Sequence, residues 1–288
     1  MLELEPLKIL SFGAGTPSTT LSLMSCENAH CIKAGLPPRW PLVPVYDYIL
    51  FCDLHAEPSW VRRQADFVAA ACGEAGITYQ ELDADLYGDF TSHFGKSRVA
   101  AIPAWTILPD GHKGKMPRQC TCDYKIKVID KFVRYKVLNY KYRQRAPWWD
   151  VHFHEMHMGI MYEERRRAKK SKQTLFENKY PLVDMNWTRA DCFKYNKETW
   201  GLETWASSCV FCPFHTGYFF HWLKEHEPES YALALQVDEL MERNKAVPPL
   251  KSALYLTKRR KRLRDLTPAD CDDAQTFFYE GQAVWNGF

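Results

Sequence analysis

The residues near the start of the chain that could do chemistry lie in KILSFGAGTPSTTLSLM, residues 8–24. An apolar run stops at small and hydroxyl-bearing residues, and the apolar residues then resume with helical spacing. Gly13, Gly15, Ser18 and Thr19 would place backbone N–H groups and hydroxyls at a helix N-terminus, which is an arrangement that binds anions. The stretch is neither G-x-x-x-x-G-K-[ST] nor G-x-G-x-x-G, because no Lys follows the second glycine and a serine replaces the third. An ordinary tight turn and a phosphate-binding loop both fit these residues.

Two carboxylates follow the second apolar run, in FCDLHAEP, residues 51–58. Asp53 and Glu57 would stand at the end of a buried strand, where carboxylates hold Mg²⁺ against a nucleotide or contact a ribose. Either residue could instead cap the helix that follows. Taken alone, the stretch favours the cap.

Four of the ten cysteines form two short motifs, RQCTCDYK (118–125) and SSCVFCPF (207–214). The spacing of Cys209 and Cys212 lets two thiolates reach one metal. Cys120 and Cys122 lie in a loop that also carries Arg118 and Lys125. Together the thiolates would hold a [4Fe–4S] cluster or, as the alternative, a zinc ion. A redox-active dithiol at Cys209 and Cys212 is a third interpretation.

A charged stretch, MGIMYEERRR (158–167), places Glu164 and Arg167 one helical turn apart, so that they either pair with each other or serve a ligand. The nearby histidines 152, 154 and 157 are more typical of packed or solvated strand residues than of metal ligands.

Composition places the chain among ordinary globular proteins: 288 residues, 46% hydrophobic, 25% charged, with a net charge of +3. Three basic stretches, 127–145, 164–173 and 257–264, suit either a polyanionic partner or solvated helix faces. No apolar run is long enough to span a membrane, and the N-terminus resembles neither a signal nor a transit peptide. We therefore expect a cytoplasmic protein (in the host cytoplasm if the gene belongs to a phage) whose cysteines are thiols or metal ligands.

Apolar periodicity predicts strands that alternate with helices, and hence an α/β fold with a mostly parallel sheet. The predicted strands are 7–12, 45–54, 77–83 and 151–161, with a short extended piece at 180–185. The predicted helices begin at residue 16, at 59, at about 125 and at 188, and two of them close on Gly76 and Gly201. We expect a domain over residues 1–215 that carries the cysteine motifs, and a helical C-terminal segment over 216–288.

Six motifs occur in an order that resembles the phosphoadenosine-phosphosulfate (PAPS) reductase family of PP-loop ATP pyrophosphatases. The resemblance is closest to a branch of phage and bacterial genomes that includes the sulfur-transfer subunits of DNA phosphorothioation. The motifs are SFGAGTPST (11–19), FCDLHAE (51–57), RQCTCDYKI (118–126), GIMYEERRR (159–167), YPL with TRAD (180–182 and 188–191) and SSCVFCPF (207–214).

The resemblance implies a PP-loop domain, with a fold like that of the adenine nucleotide alpha-hydrolases (HUP), that binds ATP and Mg²⁺, adenylates a substrate and releases pyrophosphate. Sulfur delivered through a [4Fe–4S] cluster would then displace AMP. The acceptor would be a nucleic acid, DNA or tRNA, and the sulfur donor a cysteine desulfurase. A homodimer is left open. The implied nucleotide-binding residues are Ser11, Phe12, Gly13, Gly15, Ser18, Thr19, Asp53, Gly159, Glu164 and Arg167. The implied catalytic residues are Ser18, Asp53, Arg118 and Lys125, and the implied metal ligands are Cys120, Cys209 and Cys212, with Cys122 either a fourth ligand or a bystander.

The chain departs from the family pattern at three points. Cys122 is an additional cysteine in the third motif, Leu54-His55-Ala56 replaces Thr-Gly-Asp in the second, and the C-terminal catalytic cysteine of sulfonucleotide reductases has no counterpart. The alternatives to an adenylating enzyme are thus a sulfonucleotide reductase, which the last departure argues against, and a non-catalytic module that binds a nucleotide or a nucleic acid.

Overall fold

The computed structural model describes residues 5–94, 96, 102–108, 110–243, 252–271, 277–279 and 282–284. The chain forms two compact units, each built from separate stretches of sequence. The first comprises Met1–Cys52, Trp60–Leu82 and Val128–Ser207, and the second Asp53–Ser59, Asp83–Lys127 and Ser208–Phe288. The predicted boundary after residue 215 stays a prediction.

The strands of the described residues are β1 (Lys8–Phe12), β2 (Tyr48–Asp53), β3 (Thr78–Asp83), β4 (Trp105–Ile107), β5 (Lys113–Lys115), β6 (His154–Met158), β7 (Phe176–Lys179), β8 (Ala253–Tyr255), β9 (Phe277–Tyr279) and β10 (Gln282–Val284). The α-helices are α1 (Thr16–Lys33), α2 (Ser59–Ala75), α3 (Leu86–His93), α4 (Lys127–Phe132), α5 (Pro181–Asp184), α6 (Arg189–Trp200), α7 (Gly217–His226) and α8 (Pro228–Arg243).

The first unit is built on a five-stranded sheet in the order β3-β2-β1-β6-β7. β1 runs parallel to β2 and to β6, and β6 runs parallel to β7. β1 is the central strand, and its Ile9, Leu10 and Phe12 are buried, as expected where both faces of a parallel sheet are covered. The predicted α/β class with a parallel sheet is confirmed.

The order in which the chain adds strands to the sheet reverses beside the central strand, β1. The chain moves outward from β1 through β2 to β3 and then returns to place β6 on the other side of β1. Loops that leave the carboxyl ends of β1 and β6 therefore diverge, and the crevice between them is where ligands of open α/β sheets bind.

The helices of the first unit carry clear terminal signals. Thr188 caps α6 in a reciprocal capping box with Asp191, and Gly201 ends that helix with a φ of +64°; both features match the predicted helix. Gly76, at a φ of +76°, follows the end of α2 as predicted.

The second unit contains an antiparallel sheet in the order β5-β4-β8, with the helices α3, α7 and α8. Arg262 and Asp238 form a buried ion pair at 3.1 Å, and Asp238 also accepts the Leu263 N–H. The C-terminal segment begins with α7 and α8, as the predicted helical segment requires. Strands β8, β9 and β10 follow and were not predicted.

Two sequence predictions of local structure were wrong. YPLVDM was predicted to be extended, but Pro181–Asp184 is a short helix, with proline at the first helical position. The strand predicted over 151–161 shrinks to β6, because His152 lies outside it with a φ of +55°. No helix of the described residues combines the length and the apolar character needed to cross a membrane.

Candidate functional site

The β1–α1 loop of the first unit is shaped by the Ser18 side chain. The Gly13 N–H donates to Ser18 Oγ at 3.3 Å, and the Ser18 hydroxyl donates to the Gly15 carbonyl at 3.1 Å. Ala14, between the two glycines, has a φ of +51°, in the left-handed region that non-glycine residues seldom adopt. Ser18 thus holds the loop in a tight ring of backbone groups at the start of α1.

Two neighbouring segments approach this loop closely at glycine positions. A Cβ on Gly15 would lie 2.8 Å from Ser207 Oγ, and a Cβ on Gly159 would lie 2.5 Å from the Ser18 nitrogen. Gly159 directly follows β6, so the end of that strand packs against the first turn of α1. Gly15, Gly159 and Ser207, which belong to three different sequence motifs, are therefore close to the same loop of the first unit.

A buried polar network fixes the first turns of α1. The Thr20 hydroxyl contacts both the Thr16 carbonyl, at 3.0 Å, and Asn196 Oδ1, at 3.1 Å. Asn196 in turn donates to the Thr16 carbonyl and to Thr204. Gln64, from α2, donates to the Ala14 carbonyl. Because such networks are fully satisfied only in one arrangement, they specify the position of the loop.

The loop presents donors that its own structure does not satisfy. Within the described part of the chain, the N–H groups of Ala14, Gly15 and Thr16 have no hydrogen-bond acceptor, although all three residues are buried. No acidic residue lies in the first turn of α1 to offset the positive end of the helix dipole. Buried N–H groups without a partner are rare in folded proteins. The loop is therefore suited to bind an anion.

Hydroxyls complete the same end of α1. Thr19 is fully buried, and its Oγ1 has no hydrogen-bond partner among the described residues. Ser11, in β1, lies between Leu50 of β2 and Met158 of β6. The ring of Phe12 packs against Phe51 and Tyr79 in the core. The predicted nucleotide-binding roles of Ser11, Phe12, Gly13, Gly15, Ser18, Thr19 and Gly159 stay predictions.

Glu164 and Arg167 lie in a 3-10 helix, Tyr162–Arg167, rather than in an α-helix. They pair with each other at 2.7 Å across three residues, and the Arg167 side chain is half exposed. Sequence analysis predicted that Glu164 and Arg167 either pair with each other or bind a ligand, and the ion pair between them is present. A role toward a nucleotide stays a prediction.

The three histidines of the β6 region do not form one cluster. His154 faces Asp150 at 2.9 Å, His157 faces Glu155 at 3.0 Å, and His152 Nδ1 lies 2.9 Å from the Phe176 carbonyl. Burial lowers the pKa of His154 and of His157, against the effect of their carboxylate partners. Each histidine thus has its own structural partner.

In the second unit, the carboxylates of Asp53 and Glu57 shape a turn. Asp53 accepts the His55 N–H at 2.9 Å, and Glu57 accepts the N–H groups of Leu54 and Ala56. Burial raises the pKa of Glu57, while the Lys125 ammonium and these backbone donors act in the opposite direction. The carboxylates therefore stabilise their own turn, and Lys125 lies close enough to act on Glu57 electrostatically.

Two thiols of the second unit interact directly. Cys209 and Cys212 share a hydrogen bond that, with burial, raises the pKa of Cys209, while the same bond lowers that of Cys212 to about 7. Arg118 and Lys125 also lower the Cys212 pKa, and Cys120 acts on Cys209 electrostatically. Cys122 is exposed. Three of the four predicted ligands therefore influence one another.

The predicted metal centre is not assembled in the described part of the structure, where no group of three or more His, Cys, Asp or Glu side chains is arranged to hold a metal ion. Thiolate donors suit both iron–sulfur clusters and zinc, but the observed arrangement offers a pair with a third thiol nearby. The predicted ligand roles of Cys120, Cys122, Cys209 and Cys212, and the identity of the metal, stay predictions.

Four residues that support these two regions received no role in the sequence predictions, although Ser207 lies in the motif SSCVFCPF. Gln64 and Asn196 fix the β1–α1 loop, and Ser207 meets Gly15. His215 lies 2.9 Å from the Cys209 carbonyl and stacks on Phe219 at 3.4 Å. Burial lowers the His215 pKa to about 3. Of the four, His215 was the easiest to find, since it follows Cys212 by three residues. Gln64 and Asn196 carry no sequence signal, because amides are common on helices.

The fold and the loop define a parallel α/β domain with a loop of unpaired backbone N–H groups, among the described residues, at its switch point. No protein-family model matches the sequence, and no curated protein matches it either. Among solved structures the chain is similar to the U34-tRNA thiolase NcsA from Methanococcus maripaludis, described with its [4Fe–4S] cluster. The identity is 13% and the TM-score 0.36, over 88% of this chain and 78% of that chain. Because this similarity is weak, it does not indicate a function, and the function is inferred from the residues of this chain.

Proposed function

We propose that the chain is a PP-loop ATP pyrophosphatase that activates a substrate for sulfur transfer. The observation that carries the proposal is the β1–α1 loop, whose buried N–H groups lack acceptors among the described residues, beside the carboxyl ends of β1 and β6. Phosphate oxygens would accept from these donors, and the α1 dipole would favour their charge. Ser18 acts as a positioning residue, because its hydroxyl is engaged by the loop itself.

The proposed reaction has three steps. A substrate oxygen attacks the α-phosphorus of ATP, the bond to the β-phosphate oxygen breaks, and pyrophosphate leaves with the electron pair. A persulfide on a donor protein, of which a cysteine desulfurase is the expected type, then attacks the activated carbon or phosphorus. The bond from that atom to oxygen breaks, and AMP leaves with the substrate oxygen. A thiol reductant then cleaves the S–S bond to the donor, which releases the thiolated product and leaves a disulfide on the reductant. The loop donors would stabilise the charge that develops on the phosphates.

Several roles rest on the sequence resemblance alone. Asp53 is proposed to hold Mg²⁺, and Arg118 and Lys125 to neutralise the departing pyrophosphate. Glu164 and Arg167 are proposed to contact the nucleotide. The acceptor is proposed to be DNA or tRNA. No step is assigned to a metal cluster at the cysteines.

Pyrophosphate release tests the proposal. The protein is incubated with ATP labelled at the γ-phosphate and Mg²⁺, with and without a total tRNA or a plasmid DNA fraction, and labelled pyrophosphate is separated from labelled orthophosphate. Pyrophosphate with AMP or an AMP adduct supports the proposal. Orthophosphate with ADP would contradict it, because bond cleavage would then lie between the β- and γ-phosphates.

The non-catalytic and reductase alternatives give other results. Tight ATP binding without any pyrophosphate, in the presence of both nucleic acids, would indicate a nucleotide-binding module. Release of sulfite from a sulfonucleotide supplied with a thiol reductant would indicate a reductase.

A further inference from the structure

A surface of the first unit combines positive charge with exposed aromatic rings. Residues 131–149, KFVRYKVLNYKYRQRAPWW, include six Lys or Arg and no Asp or Glu. Arg134 is paired with Asp130 at 2.8 Å. Four other cations, Lys136, Lys141, Arg143 and Arg145, have no carboxylate within ion-pair distance among the described residues. These cations and the aromatic residues 135, 142, 148 and 149 are here called the aromatic–basic surface.

The aromatic side chains of this surface are unusually open to solvent. Trp148 is 87% exposed, Tyr142 78% and Trp149 46%. Aromatic side chains normally bury most of their area. Exposed rings that follow one another within a short segment are therefore a signal of a binding surface rather than of packing. Tyr142 lies 6.3 Å from Tyr135 and carries the Arg143 guanidinium over its ring at 5.2 Å.

Buried contacts of Tyr140 and Asp150 hold the exposed residues between them. Asp150 is buried and accepts from the Tyr140 hydroxyl on one side and faces His154 Nε2 on the other. The Leu7 N–H donates to Nδ1 of His154, so the ring proton lies on Nε2, toward Asp150. The segment is thus held by the sheet through His154 of β6.

Local hydrogen bonds also fix the turn itself. The Gln144 N–H donates to the Lys141 carbonyl at 2.9 Å, and Gln144 Oε1 accepts the Lys141 N–H at 2.9 Å. Asn139 and Arg143 take left-handed φ values of +54° and +61°. A surface fixed in this way loses little conformational freedom when it binds a ligand.

We propose that the aromatic–basic surface binds single-stranded nucleic acid, with bases stacked on Tyr142 and Trp148 and phosphates held by the four cations named above. Exposed rings between Lys and Arg residues are the general form of a stacking platform for unpaired bases. Duplexes hide their base faces, so the rings would serve only a single strand. The choice of nucleic acid as the polyanion rests on the proposed function.

A lipid surface would share the positive charge but fits the residues less well. Interfacial segments present an apolar helical face rich in Leu and Phe. Residues 139–147 contain neither Leu, Ile nor Phe, and residues 141–147 are not helical.

The test measures binding of fluorescein-labelled oligouridylate and oligothymidylate, each about 12 nucleotides long to span one stacking site, by anisotropy and without ATP. A duplex of the same length and vesicles of phosphatidylcholine with phosphatidylglycerol serve as the other probes. We expect the single strands to bind more tightly than the duplex. Their affinity should fall as salt rises, and four phosphate contacts would give a slope of about −3 in a plot of the logarithm of the binding constant against the logarithm of salt concentration. Trp148→Ala and Tyr142→Ala should each weaken binding about tenfold, and Tyr142→Phe should keep most of it.

Charge controls separate this surface from a general effect of net charge. Lys141→Gln with Arg143→Gln should weaken binding, whereas Lys258→Gln with Arg259→Gln, which removes two exposed cations of the second unit, should not. Circular dichroism and the thermal midpoint show that each variant folds. Undiminished binding by the Trp148→Ala and Tyr142→Ala variants would overturn the proposal, and so would a preference for the duplex. Vesicle binding through Trp148 without oligonucleotide binding would overturn it in favour of a membrane surface.

The same protein in the pyrophosphate assay keeps the two proposals apart. Oligonucleotide binding that depends on Tyr142 and Trp148, together with an absence of pyrophosphate, would leave this surface standing and remove the proposed function. Pyrophosphate release without oligonucleotide binding would do the reverse.

Discussion

The β1–α1 loop and the cysteine region are two candidate sites built in different ways. The loop of the first unit offers backbone N–H groups, and regular secondary structure on each side determines where they point. The cysteine region of the second unit offers side chains from three separate stretches of sequence, around residues 53–57, 118–125 and 208–215. The loop is complete in the described structure, whereas no metal-binding group of three side chains is present there. A site made of backbone groups forms as soon as the chain folds. A site made of thiols also requires its side chains to be oriented toward one another.

The largest effect should come from removing a thiol. If Cys209, Cys212 and Cys120 bind metal, Cys209→Ser should lower the affinity for Zn²⁺ by more than about 100-fold, since one ligand of a structural zinc site contributes several kcal/mol. Cys122→Ser is the matched control, because Cys122 is exposed, and it should change the affinity by less than about twofold. Competition with a chromogenic chelator under anaerobic, reducing conditions measures both. An equal loss in the two variants would place Cys122 among the ligands.

A methyl group at Gly159 should disrupt the loop without touching its chemistry. The added Cβ would meet backbone atoms of Pro17 and Ser18 at 2.9 and 2.5 Å, so the first turn of α1 must move. We expect Gly159→Ala to weaken ATP binding about 50-fold in titration calorimetry, in keeping with the cost of overpacking.

Gly73→Ala is the control for this change. Gly73 lies in α2, and a Cβ on it would have no described atom within 4 Å beyond its own helical turn. Alanine there should raise the thermal midpoint, because it is a better helix former than glycine, and leave ATP affinity unchanged. An unchanged affinity in Gly159→Ala as well would separate the loop from nucleotide binding.

Gly15→Ala should lower the affinity for ATP less than Gly159→Ala does, and Ser207→Ala should restore part of the loss. Gly15 has a φ of −103°, which alanine adopts readily, so the clash with Ser207 Oγ is the main obstacle. We expect a loss of ATP affinity of about tenfold for Gly15→Ala and partial recovery in Gly15→Ala with Ser207→Ala. The double-mutant cycle measures the coupling between the two positions. Additive effects would mean that this contact does not shape the site.

Ser18→Ala should have the smallest effect of the series. It removes the acceptor of the Gly13 N–H and the donor to the Gly15 carbonyl, each a hydrogen bond of about 1 kcal/mol. We expect the KM for ATP to rise about fivefold in the pyrophosphate assay, with a smaller change in kcat. A loss confined to kcat would instead give Ser18 a direct role at the reacting phosphate.

The sequence predicts the first unit better than the second for a physical reason. β1, β2, β3, α2 and α6 all carry strong periodic or terminal signals, such as the Thr188 capping box and Gly201. The loop residues lie next to one another in the chain, so their grouping needs no tertiary information. Ser207 and Gly159 were placed in motifs, but their contact with the loop depends on strand order, which periodicity does not contain.

The remaining failures have local causes. Pro181 starts a helix too short for any helical periodicity to show, so YPLVDM was predicted to be extended. Residues 122–126 and 133–137 take π-helical turns on either side of α4, a change of hydrogen bonding that amphipathic spacing cannot reveal. β4, β5 and β8 have three residues each, below the length at which alternation is visible.

The order of the strands also means that β1 is synthesised long before one of its two neighbours in the sheet. β1 is the central strand, but its β6 neighbour begins at His154. During translation at about 5–20 residues per second, one edge of β1 would wait about 7–30 s for its partner. An apolar strand with an open edge invites pairing with other chains. We therefore expect ribosome-bound intermediates that end before β6 to be prone to aggregation.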